Sequence, residues 1–180
     1  MKKGEKIYLT AVEREDLHSF MNWRNTEKFK KNFREYLELN IDSQNRWYEN
    51  KVLNDPSTIM FSIRRKSDDK LLGCTGLCYI NWIHRHADLS LYIGHENAYI
   101  DEEGYAEESC NLLFEYGFLQ LGLNKIWTEI YEFDYKKKKL LLRLGFHLDG
   151  VLRKNYYYDG RWNDSIVLSL LNEEWKSEFI

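Results

Sequence analysis

The sequence predicts an α/β (α+β) fold, a mixed sheet flanked by helices, and three observations carry that prediction. Between Ile100 and Leu121 the apolar residues Ala106, Cys110, Leu113, Phe114, Gly117, Phe118 and Leu121 recur at steps of four, three and one, which is one face of a helix. The flanking runs, Ala87 to Gly94 and Lys125 to Tyr131, read as strands, so this helix is the crossover of a strand-helix-strand unit. Towards the C-terminus, Asp159-Gly160 stands between two β-rich runs within Asn155 to Leu171, which is the chemistry of a tight hairpin turn.

The remaining elements follow in chain order. Ile7 to Val12 opens the sheet, and Glu13 to Asn22, with Leu17, Phe20 and Met21 turned inward, is a short helix. From Thr26 to Leu53 the chain is charged and aromatic. Phe29, Phe33, Tyr36 and Leu37 form one stripe and Trp47, Tyr48, Val52 and Leu53 another, which predicts two helices separated near Asn40. Asp55-Pro56-Ser57 breaks the pattern, and Ile59 to Arg64 with Leu71 to Ile80 makes a hairpin about the turn at Ser67 to Lys70. After the crossover, Tyr135 to Leu144 is a short helix that Gly145 ends, and Phe146 begins the next strand.

A chain of 180 residues fits a single domain spanning 1–180. Its 26 basic and 29 acidic residues leave a net charge of -3, which argues against general binding to nucleic acid or a membrane surface. Cys74, Cys78 and Cys110 match neither a zinc ribbon nor a disulfide frame, so a reducing, cytoplasmic setting is expected. Met1-Lys2-Lys3-Gly4-Glu5 has charge without an apolar stretch behind it, and no apolar run is long enough to span a bilayer. Cys110, on the inward face of the long helix, is expected to pack. His84 and His86 share a strand face but have no third ligand at a recognisable spacing, so no metal is expected.

The turn before the long helix has chemistry of its own. The first amides of a helix point outward without partners and carry partial positive charge, so anions bind there. Gly104 permits a close backbone approach, and Ala106 keeps the first turn slim.

Gly104-Tyr105-Ala106, the helix ending Leu121-Gly122-Leu123-Asn124-Lys125, the step Leu144-Gly145-Phe146 and the run Tyr158 to Asp164 occur together and in order. In these the chain resembles the GNAT acetyltransferases, and within them the branch of Rim-type enzymes that acetylate protein N-termini. The resemblance implies a mostly antiparallel, twisted sheet of about seven strands whose fourth and fifth members splay into a V that receives acetyl-CoA. It implies that the pantetheine arm pairs with the backbone at Leu91, Tyr92 and Ile93, a ligand form of strand addition. The diphosphate is then expected at the turn Asp101, Glu102, Glu103, Gly104, Tyr105 and Ala106, with Asp134 beside the pantetheine in place of the usual asparagine.

Two departures alter these expectations. Asp101 stands where the family prefers glutamine or arginine, with Glu102 and Glu103 beside it, and the run Lys136 to Lys139, Lys136 and Lys137 first, is the candidate to supply the compensating positive charge. Leu141 lies five residues before Phe146, where many relatives have the tyrosine proposed to protonate the departing thiolate.

An amine must lose a proton before it attacks a thioester, and Glu129 and Asp88, carboxylates within otherwise apolar strands, are the candidate relays, with Glu129 favoured. A backbone amide near Leu91 or Tyr92 would hold the oxyanion. The expected activity is transfer of acetyl from acetyl-CoA to a primary amine, with a protein or peptide N-terminus first. An amino sugar or other small amine is the alternative, because Trp23-Arg24-Asn25 and Trp47 are similar to residues that amino-sugar-modifying relatives carry near the acceptor. A non-catalytic acyl-CoA-binding protein is a further alternative, and the aromatic C-terminal hairpin suggests a homodimer.

Overall fold

A computed structural model of the protein describes residues 2–33 and 37–177. Its eight strands form one sheet: β1 (Lys2–Lys3), β2 (Ile7–Ala11), β3 (Ile59–Arg65), β4 (Leu71–Asn81), β5 (His86–Ile93), β6 (Lys125–Tyr131), β7 (His147–Tyr158) and β8 (Arg161–Leu171). They are ordered β1-β2-β3-β4-β5-β6-β8-β7, and every neighbouring pair is antiparallel except β5 and β6. Because β1 is only two residues long, the expected fourth and fifth strands are β5 and β6.

The crossover between them is α4 (Tyr105–Phe114), which runs on into a π-helical turn, Glu115–Gln120. Ala106, Cys110, Leu113, Phe114 and Phe118 are all buried, as the spacing requires, and the helix packs against β2, β4 and β5. Gly117 allows the close approach to β6, since a Cβ there would lie 3.1 Å from Ile126. Cys110 packs fully buried, and burial pushes its thiol up to about 12.

The helices on the opposite face are α1 (Leu17–Arg24), after a 3-10 turn at Arg14–Asp16, α2 (Glu27–Lys30) and α3 (Ile41–Trp47), which continues into a π-helical turn at Tyr48–Leu53. The first of the two helices expected between Thr26 and Leu53 is a single turn. Beyond it, Asn25 takes over the backbone of Leu39, donating from Nδ2 to its carbonyl at 2.8 Å and accepting from its amide at 2.9 Å. A side chain that satisfies both backbone groups removes the incentive to continue a helix. Asn40 and Ser43 then cap α3 reciprocally. Tyr36 lies outside the described residues, while Leu37 and Leu53, which spacing put on the apolar stripes, are 58% and 56% exposed.

α5 (Tyr135–Arg143) links β6 to β7, and Gly145 follows it at φ 83°. Asp159 and Gly160, at φ 51° and 74°, form the turn joining β7 to β8. The short α6 (Asn172–Ser177), not anticipated from sequence, sets Trp175 against Phe118 at 5.5 Å. No helix of the described residues is long and apolar enough to cross a membrane.

Candidate active site

β5 and β6 pair over only three residues, ending at Asp88 opposite Trp127. Past that point the strands part, and Thr128 Oγ1 donates to the Leu89 carbonyl at 3.3 Å across the gap. Backbone groups along a strand alternate in direction. Ile93 spends its amide and carbonyl on Tyr99, both at 2.8 Å, on the edge that faces the opening. Leu91, two residues back, turns to the same edge, whereas Tyr92 turns towards β4, where it lies opposite Cys74. Of the three residues expected along the pantetheine, Leu91 therefore presents its backbone to the opening. The Tyr92 side chain is buried among Phe20, Trp23, Phe29 and Phe33, at ring separations of 5.5 to 6.4 Å. Much of the N-terminal aromatic stripe is core, and Phe33 and Trp47 are also cavity wall.

A cavity of about 360 Å³ occupies the opening. Both candidate relays line it, Asp88 from β5 and Glu129 from β6, each half-buried. Glu129 Oε1 accepts from Asn155 Nδ2 at 2.8 Å, which orients the carboxylate. Cys78 lies opposite Asp88 on β4, and burial, reinforced by that carboxylate, pushes its thiol up to about 12. Such a thiol is no nucleophile near neutral pH. Among the described residues the cations of the cavity are Arg24, Lys51 and Lys137, and Lys51 is paired with Asp55 at 2.9 Å.

Asp134 is 5% exposed, and both its oxygens are engaged: one caps α5 at the Lys137 amide, 3.1 Å away, and the other accepts from the Tyr99 hydroxyl. Burial and then that carboxylate push the Tyr99 hydroxyl well above its usual range. Tyr99 itself sits at φ 66°, a conformation costly for an aromatic residue and held here from both sides by Ile93 and Asp134. No sequence pattern announces that arrangement. Leu141 is fully buried in the core.

The turn at the start of α4 is not bare. Asp101 folds back so that its carboxylate accepts from the Tyr105 amide at 2.8 Å and the Ala106 amide at 2.7 Å. It stands as an anion on the amides where an anion was expected. Gly104 adopts φ 90°, open only to glycine without strain. Lys6 braces the turn, its Nζ on the Glu103 carbonyl at 2.6 Å and its amide on the Glu108 carboxylate. Glu102 and Glu103 are exposed, and the Tyr105 hydroxyl engages Arg65.

A groove of about 680 Å³ runs between this turn and α5, with Asp101, Glu102 and Glu107 on one wall and Lys136, Lys139 and Arg143 on the other. Arg143 pairs with Glu107 at 2.6 Å. Lys136 thus lies at the turn with Lys139, the far end of the same lysine run, and Lys137 lies at the cavity, while Arg143 escaped notice because sequence does not reveal which basic residues of a helix face a neighbour. The rings of His84 and His86 stack at 6.5 Å, and among the described residues no three His, Cys, Asp or Glu come together as a metal set.

Residues 9–167 match the family model described as an acetyltransferase (GNAT) domain. The chain belongs to the GNAT acetyltransferases. Their mixed, mostly antiparallel sheet with one splayed parallel pair is the architecture described above. The crystal structure of the spermidine N-acetyltransferase from Vibrio cholerae in complex with CoA and spermine superposes on this GNAT chain with a TM-score of 0.87 and 25% identity, covering 96% of this chain and 99% of that one. Two Bacillus subtilis relatives match over shorter stretches. The uncharacterised N-acetyltransferase YoaA is 31% identical over 63% of this chain, and the putative ribosomal N-acetyltransferase YdaF is 28% identical over 62%. These matches span 62% and 59% of the relatives' own lengths.

Proposed function

We propose that this GNAT chain transfers acetyl from acetyl-CoA directly to the primary amine of a small molecule, in the opening between β5 and β6. The observation that carries the proposal is the parting of those strands after three paired residues, with Asp88 and Glu129 on the walls of the cavity it creates. The donor set suits acetyl-CoA. The Leu91 edge can pair with an extended amide-bearing arm, and the groove offers Lys136 and Lys139 to phosphates, with Arg143 held by Glu107 beside them. When bound, acetyl-CoA supplies a thioester whose thiol has a reference pKa of about 8.5, so its thiolate leaves near neutral pH without a protein acid, and a leucine at position 141 is tolerable.

In this reading Glu129, held by Asn155, takes the proton of the incoming ammonium through water, and Asp88 supports it from the facing strand. Leu91 supplies the backbone amide for the oxyanion. Asp101 occupies the Tyr105 and Ala106 amides in the free chain and yields them to the diphosphate, with Glu102, Glu103 and Gly104 completing the turn and Lys136 and Lys137 offsetting its charge. Asp134 acts by fixing the start of α5 and the Tyr99 ring.

A small amine is preferred to a protein N-terminus because the cavity, at about 360 Å³, lies at the lower end of the range for small-molecule sites. The spermidine-acetylating relative also aligns along nearly the whole chain. The Rim-type reading keeps the support of YdaF. Release of free CoA thiol from acetyl-CoA, measured against a small-amine panel and an N-terminal peptide panel, tests the choice. Turnover with small amines and not peptides is expected. Turnover with peptides alone would reverse the choice, and CoA binding without turnover on either panel would leave a non-catalytic acyl-CoA-binding protein.

A further inference from the structure

A smaller cavity of about 180 Å³ continues inward from the first and shares Arg24, Phe33, Trp47, Cys78 and Ser90 with it. Four rings wall it: Phe20 of α1, Phe33 after α2, Trp47 of α3 and Tyr92 of β5. They meet edge to face, Phe20 with Trp47 at 82°, Phe20 with Tyr92 at 84° and Phe33 with Tyr92 at 83°, at centroid separations of 5.5 to 6.3 Å. The sheet side carries the sulfurs of Met60, Cys74 and Cys78. Aromatic rings favour edge-to-face contact and gain further from nearby sulfur. Cavities of about 150 Å³ with apolar and aromatic walls stay dry and take up benzene. Two polar groups enter this one as well: Gln44, 1% exposed with its buried Oε1 making no hydrogen bond, and Arg24, whose guanidinium lies over the Phe33 ring at 5.1 Å.

We propose that this inner cavity receives an aromatic ring of the acceptor, so that the substrate is an arylalkylamine whose amine reaches the outer cavity on a short arm. The inference rests on the acetyl transfer to a small amine proposed above and narrows its substrate class. The ring walls and the volume set that class. A single flat ring meets the four wall rings edge to face, whereas a flexible aliphatic chain would lose more rotamer freedom for weaker contacts. A guanidinium stacks on aromatic faces whether or not its charge is also paired, so Arg24 accommodates a ring without choosing the charge of the tail. A ring hydroxyl could also donate to Gln44 Oε1, which refines the fit and does not decide the class. The spacing along β5 fixes the arm. Ser90 lines both cavities, and Asp88, two residues back on the same face of the strand, lines the outer one with Glu129. Two strand residues span about 7 Å, so an arm of two or three carbons carries the amine from the ring to the carboxylates that have to deprotonate it.

The test is steady-state acetylation of phenethylamine, cyclohexylethylamine, butylamine and spermidine by the wild type and by Cys74→Met, which fills the inner cavity from β4, with calorimetry of CoA and thermal melting alongside. For the wild type, kcat/KM for phenethylamine should exceed that for butylamine and spermidine by about 10-fold or more, and should also exceed that for cyclohexylethylamine. Cys74→Met should remove most of the advantage over butylamine through KM and leave butylamine itself within about twofold, with CoA binding unchanged and Tm held or raised, because it fills a void. If Cys74→Met melts low, Met60→Phe, which narrows the same cavity from β3, takes its place. Equal or better turnover of butylamine or spermidine by the wild type, parity between the two ring-bearing amines, or an equal loss with every amine in the filled variant would overturn the inference and leave the transfer reaction standing. Binding of CoA with no turnover on any amine would overturn the transfer reaction itself, and the inference with it.

Discussion

Replacing Asp101 with alanine should weaken the free protein and tighten CoA binding, two changes of opposite sign with one cause. In the free chain the Asp101 carboxylate accepts from the Tyr105 and Ala106 amides at 2.8 and 2.7 Å, so it caps α4. Removal of such a cap costs about 0.5–2 kcal/mol. For a chain of this length that is a fall of roughly 1–8 °C in Tm, at about 2–4 °C per kcal/mol. If the diphosphate takes the same amides, the wild type forfeits the cap on binding and the variant has none to forfeit. The capping energy then reappears as affinity, about 2- to 30-fold tighter. Loss of a carboxylate beside a diphosphate adds to the gain, and Asp101→Asn, which is uncharged and keeps only one of the two accepting oxygens, should fall between the wild type and Asp101→Ala in Tm. The assay is calorimetric titration with CoA and with pantetheine, which lacks the diphosphate, alongside thermal melts. Pantetheine affinity should not change. A lower Tm with unchanged or weaker CoA binding would refute the reasoning, because Asp101 would then remain on its amides while CoA is bound.

Three further outcomes follow from the same structure. Leu141→Tyr, which restores the residue many relatives have, should fail to raise kcat and should lower Tm by several degrees; the site is fully buried, and overpacking costs typically 1–3 kcal/mol. A more active, equally stable variant would show that α5 has room the structure does not show. Glu129→Gln should reduce kcat by about 100-fold or more with the CoA dissociation constant unchanged, and Asp88→Asn should reduce it less; unchanged rates in both would remove the carboxylates from the mechanism. Cys78, its thiol pushed up to about 12, should be alkylated by iodoacetamide at pH 8 on the order of 10³-fold more slowly than an exposed cysteine, with the rate climbing as pH rises towards that value. Rapid labelling of Cys78 at pH 8, read by mass spectrometry, would contradict the raised thiol at that place on the cavity wall.

The parts of this molecule legible in its sequence are those governed by local rules. The face from Ala106 to Phe118, the Asp159-Gly160 turn, the limits of β6 and the stop at Gly145 each follow from periodicity or from a residue's own backbone preferences. Asp88 and Glu129 were readable as candidates because they are carboxylates within otherwise apolar strands, and Leu91 through the family resemblance; all three line the opening between β5 and β6. What escaped depends on contacts between distant segments. Asn25 sits 14 residues from the Leu39 backbone it satisfies, and Tyr99 meets Asp134 from 35 residues away. Asp101 was readable as a misfit beside a diphosphate, but its folding back onto the helix amides was not, because that depends on the path of the turn rather than on its composition. Gln44 reads as one more polar residue on a charged helix, and only the assembled layer shows that it faces inward.

The account is tested most directly by a crystal structure determined with CoA at saturating concentration. It predicts CoA in the opening between β5 and β6, its arm paired with the Leu91 backbone, and its diphosphate on the Tyr105 and Ala106 amides with the Asp101 side chain swung away. An empty opening with Asp101 still seated on those amides would contradict it.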